Sequence, residues 1–140
     1  MATEVTQACR EALMKAEVNF SSHVFKIILM GDGFQFNPVS HKKYSDVSAF
    51  ELPTASGYTI GGATLTGVVI TMDDPNKQIN TSWANPSWIA TGGNLSAIGA
   101  LIYNDTHVND ILIGFIDHGS LQTVLSGGTY TIANVVVRYS

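Results

Sequence analysis

The stretch that decides the fold runs from residue 95 to residue 138 and reads LSAIGALIYNDTHVNDILIGFIDHGSLQTVLSGGTYTIANVVVR. Short apolar runs rich in β-branched residues alternate here with glycines and polar turn residues, a pattern typical of strands. We predict strands over 95–103, 111–117, 120–125 and 130–138, with turns at Gly119 and at Gly127-Gly128. Several short strands with no helix between them favour a β-sandwich or a jelly-roll or barrel-like fold.

The residues before this stretch add three more strands. The apolar run 24–30 predicts a buried strand, which the turn at 31–33 closes. Residues 64–72 and 78–83 read as a hairpin around Asp73-Asp74-Pro75-Asn76, whose residue types favour a tight turn. Residues at about 34–60 contain two prolines, Gly57 and many polar residues, so we expect a long loop with one helical turn in 44–50, begun by Ser45 or Asp46.

The N-terminal residues 1–20 predict one amphipathic α-helix, because their apolar residues recur at intervals of three and four. Thr3 is the expected N-cap. The apolar stripe consists of Val5, Ala8, Cys9, Ala12, Leu13, Ala16 and Phe20. We therefore expect a single domain over residues 1–140, in which this helix precedes a β-rich body at 24–140.

Composition favours assembly over nucleic-acid or membrane binding. The 140 residues are 45% hydrophobic and only 13% charged, whereas an average domain has about 25% charged residues. The net charge is −4, and the only adjacent basic pair, Lys42-Lys43, is too small to displace counterions from a phosphate backbone. No run approaches the ~20 apolar residues of a membrane span. A surface this poor in charge predicts burial against protein partners.

Two further signals concern the compartment. Cys9 is the only cysteine, so no internal disulfide forms, and its place in the apolar stripe predicts a small buried side chain. Glu4, Arg10 and Glu11 interrupt any apolar run of a signal peptide. We expect synthesis in a reducing cytoplasm.

No motif predicts a catalytic, cofactor-binding or metal site. Gly31-Asp32-Gly33 lacks the strand and helix context of a nucleotide-binding loop. The four histidines have no metal-ligand spacing, and Asp117-His118 reads as part of a surface turn before Gly119. The Asp73-Asp74 turn has oxygen ligands for Ca²⁺ but not the spacing of an EF-hand, so a simple hairpin turn is favoured and a bound ion stays open.

One set of aromatic residues allows two interpretations. The set could form a glycan-binding platform or pack in the core, and its position within or beside apolar strands favours the core. Its members are Trp83, Trp88, Tyr103 and Phe115.

Several stretches taken together resemble a family of small virion structural proteins of tailed bacteriophages. The resemblance covers nearly the whole chain and departs most at 133–138. It begins with the N-terminal helix and the strand 25–30. It continues with 44–48 ahead of Glu51, 57–67, Asp73-Asp74, Trp88, 99–105 and 113–117 followed by a glycine.

The resemblance implies a non-enzymatic protein of the virion, made in the cytoplasm of the host bacterium. The leading expectation is a capsid decoration or cement subunit that binds the major capsid protein as a homo-oligomer, with a trimer expected. Alternatives are a neck or tail component, such as a head–tail adaptor or ring, a glycan-binding β module for host attachment, and an enzyme. We expect the loop 34–60, which is longer than a compact domain usually contains, to form inter-subunit contacts together with the N-terminal helix.

Overall fold

A computed structural model describes residues 3–139, and over that range the protein is mainly β with one α-helix near the N-terminus. The helix α1 spans Gln7–Met14, and two single 3₁₀ turns span Tyr44–Asp46 and Ser48–Phe50. The strands are β1 (Thr3–Val5), β2 (Phe25–Met30), β3 (Ala63–Thr64), β4 (Val69–Asp73), β5 (Gln78–Ser82), β6 (Ser87–Ile89), β7 (Leu95–Asn104), β8 (Leu112–Val124), β9 (Thr129–Thr131) and β10 (Val136–Tyr139). The coarse prediction of a β-rich protein with a helix at its start is confirmed.

The strands form three antiparallel sheets. The central sheet has the order β1-β8-β7-β2-β3, a second sheet has the order β10-β5-β4, and β6 pairs with β9. None of the helices within residues 3–139 is long and apolar enough to span a bilayer. The long strands β2, β7 and β8 lie at the middle of the central sheet and therefore organise the packing on both sides of it.

Both faces of the central sheet are buried, as β2 shows most clearly. Ile27 and Leu29 face one cluster of buried residues, whereas Ile28 and Met30 face another. Successive side chains of a strand point to opposite faces, so an uninterrupted apolar run is the sequence of a strand that is covered twice. We call the side of Ile27 and Leu29 the first face and the side of Ile28 and Met30 the second face.

The first face packs against the other sheets and α1. Its buried cluster contains Ile27 and Leu29 together with Val137 of β10, Trp83 directly after β5 and Cys9 of the helix. The predicted hairpin of β4 and β5 is confirmed, with Asp73 paired to Gln78 across the turn. This side of the molecule is therefore a core of apolar side chains from several elements.

The N-terminal helix is shorter than predicted and starts later. Thr3 and Val5 belong to β1, which pairs with β8, so the prediction of Thr3 as N-cap is wrong. The cap is Thr6, whose side chain accepts a hydrogen bond from Cys9 N at 3.0 Å. The helix ends at Met14, and Ala16 has a φ of 60°. The predicted residues 1 and 2 lie outside the described range.

Two predicted strands are each divided in the structure. The range 64–72 contains the end of β3 and most of β4, and between them Gly67 has a φ of 67°. The range 130–138 contains parts of β9 and β10, separated at Asn134, which has a φ of 59°. A positive φ turns the backbone out of the extended conformation, so neither predicted strand runs unbroken through its range.

The opposite error occurs in β8, where two predicted strands are one. Asp117 pairs with Gly99 and Gln122 pairs with Ala97, so the four residues 118–121 lie opposite Ile98 alone. Gly119 has a φ of 82° within this bulge. The glycine was read as a turn between strands, but the chain returns to the same partner strand after the bulge.

Candidate functional site

The first part of the segment 34–60 covers the second face of the central sheet, whereas Tyr58 near its end packs in the first-face cluster. Phe34 and Val47 are buried against Ile28, Met30 and Leu101. The helical turn predicted in 44–50 is present as the two 3₁₀ turns, but its predicted start at Ser45 or Asp46 is wrong, because the first turn begins at Tyr44 after Lys43 as N-cap. The Asp46 carboxylate accepts hydrogen bonds from Lys42 N and Lys43 N, which fixes the start of the first turn. The segment is thus a packed layer of the protein.

Part of this segment is a closed loop whose two ends meet beside the end of β2. Gly31 N donates to Phe50 O at 2.7 Å, and Leu52 N donates to Leu29 O at 3.1 Å. Met30 and Glu51 form an antiparallel bridge between these two bonds. The chain therefore leaves β2, crosses the second face and returns to the place where it left.

Glu51 is the polar centre of this layer. Its carboxylate accepts hydrogen bonds from the hydroxyls of Tyr44 and Tyr58, the latter at 2.5 Å, and from Gly61 N at 2.8 Å. Three donors on one carboxylate form a charge-assisted network that fixes the directions of all the groups in it. The network joins the first 3₁₀ turn to the residues that lead into β3.

The same network is bonded to the central sheet. Tyr58 is buried, and its hydroxyl accepts a hydrogen bond from Leu29 N at 3.2 Å while it donates to Glu51. Tyr103 of β7 donates to Gly61 O at 3.2 Å, and its ring lies 4.9 Å from that of Tyr44. The segment is therefore held to the sheet by hydrogen bonds as well as by apolar packing.

The phenols of this cluster remain protonated at neutral pH. Burial raises the pKa of Tyr44, Tyr58 and Tyr103, and for Tyr44 and Tyr58 the hydrogen bond to the Glu51 carboxylate raises the pKa further. A protonated phenol donates a hydrogen bond but is not a base or a nucleophile. The arrangement is suited to positioning the segment.

Two glycines allow the segment to lie close against neighbouring strands. A Cβ atom at Gly62 would lie 1.9 Å from Ile27 O, and one at Gly57 would lie 2.0 Å from Ile89 O. Both residues also have positive φ values. The sequence shows these glycines flanking Tyr58, but turn chemistry alone does not reveal that they face strand backbones.

An exposed groove runs between α1 and the start of the segment. The groove encloses about 630 Å³, and Gln7 N donates to Pro38 O at 2.8 Å at its edge. Met14 on the helix is 90% exposed and Val39 on the segment is 58% exposed. Arg10, Glu11, Lys15 and Lys42 also line it. The structure therefore brings together the helix and the loop that the sequence predicts as contact regions.

The four aromatic residues weighed as a glycan platform are all in the core. Their exposed fractions are between 4% and 7%, and Trp83 packs at 5.5 Å from Phe25 while Trp88 lies 5.9 Å from Tyr58. The core interpretation is confirmed for Trp83, Trp88, Tyr103 and Phe115. A glycan stacks on an exposed ring face, and these rings present none.

Asp117 and His118 have separate partners. Asp117 accepts from Gly119 N at 2.8 Å, whereas His118 Nδ1 lies 2.7 Å from the hydroxyl of Tyr130. Burial lowers the pKa of His118 and raises that of Tyr130 to about 12, so both are neutral at pH 7. An open cleft of about 560 Å³ adjoins them. His118 is the first residue of the bulge in β8 and Asp117 is the last paired residue before it, where the sequence predicts a surface turn.

The remaining candidates have structural contacts. Asp73 accepts from Asn76 N and Nδ2 within the hairpin turn, and residues 3–139 contain no group of three side chains suited to a metal ion. Cys9 is buried with its Sγ 2.8 Å from the hydroxyl of Tyr139, and burial raises its pKa to about 11. The thiol therefore lacks the thiolate character of a nucleophile.

Comparisons with protein-family models, with curated proteins and with solved structures found no match for this chain.

Proposed function

We propose that this protein is a non-enzymatic structural subunit of a tailed-phage virion, and that it decorates and stabilises the head shell by binding the major capsid protein. The observation that carries the proposal is the segment 34–60, a polar-anchored layer that presents apolar side chains to solvent. Val39, Phe50 and Ile60 are 58%, 48% and 57% exposed, although Glu51 and Tyr58 fix the segment from beneath.

A fixed segment suits binding because little entropy remains to be lost. Ordering a loop on association costs about 0.5–1.5 kcal/mol for each immobilised side chain, and a preorganised loop avoids part of that cost. Exposed apolar side chains on such a loop supply the area that is removed from water. The low proportion of charge, 13%, reduces the desolvation cost of a large contact.

The proposal includes the subunit's partners and its fold. The protein assembles as a homo-oligomer on the particle after synthesis in the bacterial cytoplasm, with no nucleic acid or membrane in its contacts. Its fold is a β-sandwich, supported by the packing of Val137 from the three-stranded sheet against the first face of the central sheet.

The neck or tail alternative differs from the head-shell role in copy number. A decoration subunit repeats over the whole shell, whereas an adaptor forms one small ring. Electron-microscopy reconstruction of the particle of the phage that encodes the chain gives copy number and location together. Density on the shell supports the decoration role, a single ring replaces it with the neck or tail role, and absence from the particle overturns both.

A binding assay tests the contact surface itself. Purified protein is added to particles assembled without it, and the bound fraction is measured after sedimentation. We expect Val39→Asp and Phe50→Asp to reduce binding about tenfold or more, because each places a charge in an apolar contact. Val108→Asp is the matched control, since Val108 is 91% exposed in the loop before β8. Equal binding by all three variants would contradict the assignment.

A further inference from the structure

Strand β4 lies at one end of the three-stranded sheet, and its outer edge is unpaired among the described strands. In the order β10-β5-β4, strand β4 has β5 on one side and no strand of the described residues 3–139 on the other. An exposed edge presents free N–H and C=O groups, and natural proteins usually protect it with lysine, proline or a bulge. Residues 69–72 read Val-Ile-Thr-Met, with no charge and no proline, and their register with β5 is unbroken. This edge is unprotected.

The same hairpin carries apolar side chains that the body of the protein does not cover. Ile70 lies opposite Thr81, which lies opposite Val137 in the core, so these residues share the inward face. Met72 and Ile79 continue that face one step further along the strands. Ile70, Met72 and Ile79 are 47%, 73% and 42% exposed. The hairpin thus extends beyond the core with its apolar face open.

We infer that β4 pairs antiparallel with β4 of a second copy of this chain, about a two-fold axis perpendicular to the sheet. The pairing that keeps the inward faces together puts Thr71 opposite Thr71 of the other copy and Ile70 opposite its Met72. Two three-stranded sheets become one of six strands, and the exposed apolar rows of the two hairpins become continuous. This inference deepens the proposed function, because the β4 pairing is the contact through which the virion subunit forms its homo-oligomer. The biological role of the dimer rests on that proposed function.

The charge pattern favours a second copy in this orientation. The acidic end of the hairpin, Asp73-Asp74, lies on the turn side of the edge. Antiparallel self-pairing puts Asp73 opposite Val69 of the other copy, so the two Asp73 residues are about 14 Å apart along the strands. That separation exceeds the Debye length of about 8 Å at physiological ionic strength, so the like charges are largely screened. A parallel pairing would place them side by side.

Cross-linking tests the pairing directly. The variant Thr71→Cys places a thiol at the two-fold axis, and mild oxidation of the purified protein should yield a covalent dimer. The natural Cys9 is fully buried, so the unaltered protein serves as the background. Thr123→Cys, on an exposed residue of β8, is the matched control and should give no dimer above background. A Thr71→Cys protein that stays monomeric under oxidation overturns the inference.

Sedimentation of the protein without added cysteines gives an independent test. Because β4 has only five residues, the contact is small, and we expect association that rises with concentration. Met72→Lys should weaken it about tenfold or more, because a lysine on the edge is a natural block to strand pairing. Val108→Lys, a lysine substitution at a residue that is 91% exposed in the loop before β8, should leave it unchanged. Equal effects of the two variants, or a monomer up to the solubility limit, overturn the inference.

Failure of the β4 pairing and failure of the proposed function give different experimental results. Particles decorated by a protein that never forms the Thr71→Cys dimer would overturn the β4 pairing alone. A β4-paired dimer that is absent from particles would overturn the virion role alone. The trimer expected from the sequence stays a prediction.

Discussion

The two faces of the central sheet are covered in different ways. On the first face, apolar side chains from the other sheets and α1 pack against Ile27 and Leu29. On the second face, a segment with only two short 3₁₀ turns covers Ile28 and Met30. The Glu51 network fastens it to Tyr58, whose ring packs in the first-face cluster. A segment without a helix or sheet of its own satisfies few backbone groups internally, so side-chain hydrogen bonds hold it in place.

The largest effects should come from cavities on the two faces. Leu29→Ala and Met30→Ala each remove a side chain that is fully buried. We expect each to lower the free energy of unfolding by about 2–5 kcal/mol, with the smaller loss for Met30→Ala, because a loop closes around a cavity more readily than a sheet does. Urea unfolding measures both. A larger loss for Met30→Ala would mean that the segment is as rigid as the first-face core.

A substitution at Gly62 should be nearly as damaging. Gly62→Ala sets a Cβ against Ile27 O at a residue with positive φ, and we expect a loss of about 3 kcal/mol. Gly61→Ala is the matched control, since its φ is also positive but no atom lies within 4 Å of the added Cβ. It should lose only about 1 kcal/mol. Equal losses at the two glycines would show that backbone strain, not the contact with β2, limits this turn.

Breaking the polar network should cost less and act mainly on the segment 34–60. Glu51→Gln removes the charged acceptor for Tyr44, Tyr58 and Gly61, and we expect a loss of about 2 kcal/mol. Amide hydrogen exchange should rise in 34–60 while β5 and β10 stay protected. Glu4→Gln, on an exposed residue, controls for the loss of one negative charge. A uniform rise in exchange over all strands would contradict a separate role for the network.

The smallest effect is a dependence on pH that originates on the first face. The folded protein raises the pKa of Cys9 from 9.0 to about 11, chiefly through burial. The neutral thiol is therefore favoured in the folded state, and this contribution is complete below about pH 9 and is lost as pH rises toward 11. We expect a loss of about 1 kcal/mol for each pH unit in that window.

The control for this pH effect is Cys9→Ala, which should remove the Cys9 part of the slope and leave the contribution of buried phenols such as Tyr139. Thermal unfolding at several pH values measures the difference. An identical slope in both proteins would contradict the assignment to Cys9.

The features that the sequence predicts correctly depend on local patterns. The continuous apolar run of β2 and the turn residues of the β4–β5 hairpin each specify structure within a few residues. The errors have non-local causes. Val5 fits the helical stripe, but pairing with Gly114 of β8 places it in a strand. Gly119 reads as a turn because the register on β7 that makes it a bulge is invisible locally.

The candidate site was predictable only in outline. Length and composition predict the loop and helix as contact regions, which stays a prediction, but they give no indication of the role of Glu51. Its partners Tyr44 and Tyr58 are each seven residues away, a spacing that no helix or strand rule connects to a carboxylate. A lone acidic residue between two tyrosines in a polar loop carries no signal until the fold brings their side chains together.

The closed loop leaves β2 at Gly31 and returns at Glu51, so a different loop can replace it without moving the strands. Its two ends are neighbours in space, so a graft of different length or sequence between them would leave the strand order of the central sheet intact. Under the proposed function, lineages that retained the Glu51 anchor while varying Val39 or Phe50 would bind a different surface with the same fold. In that proposal, the binding specificity of the loop changes independently of the strand order.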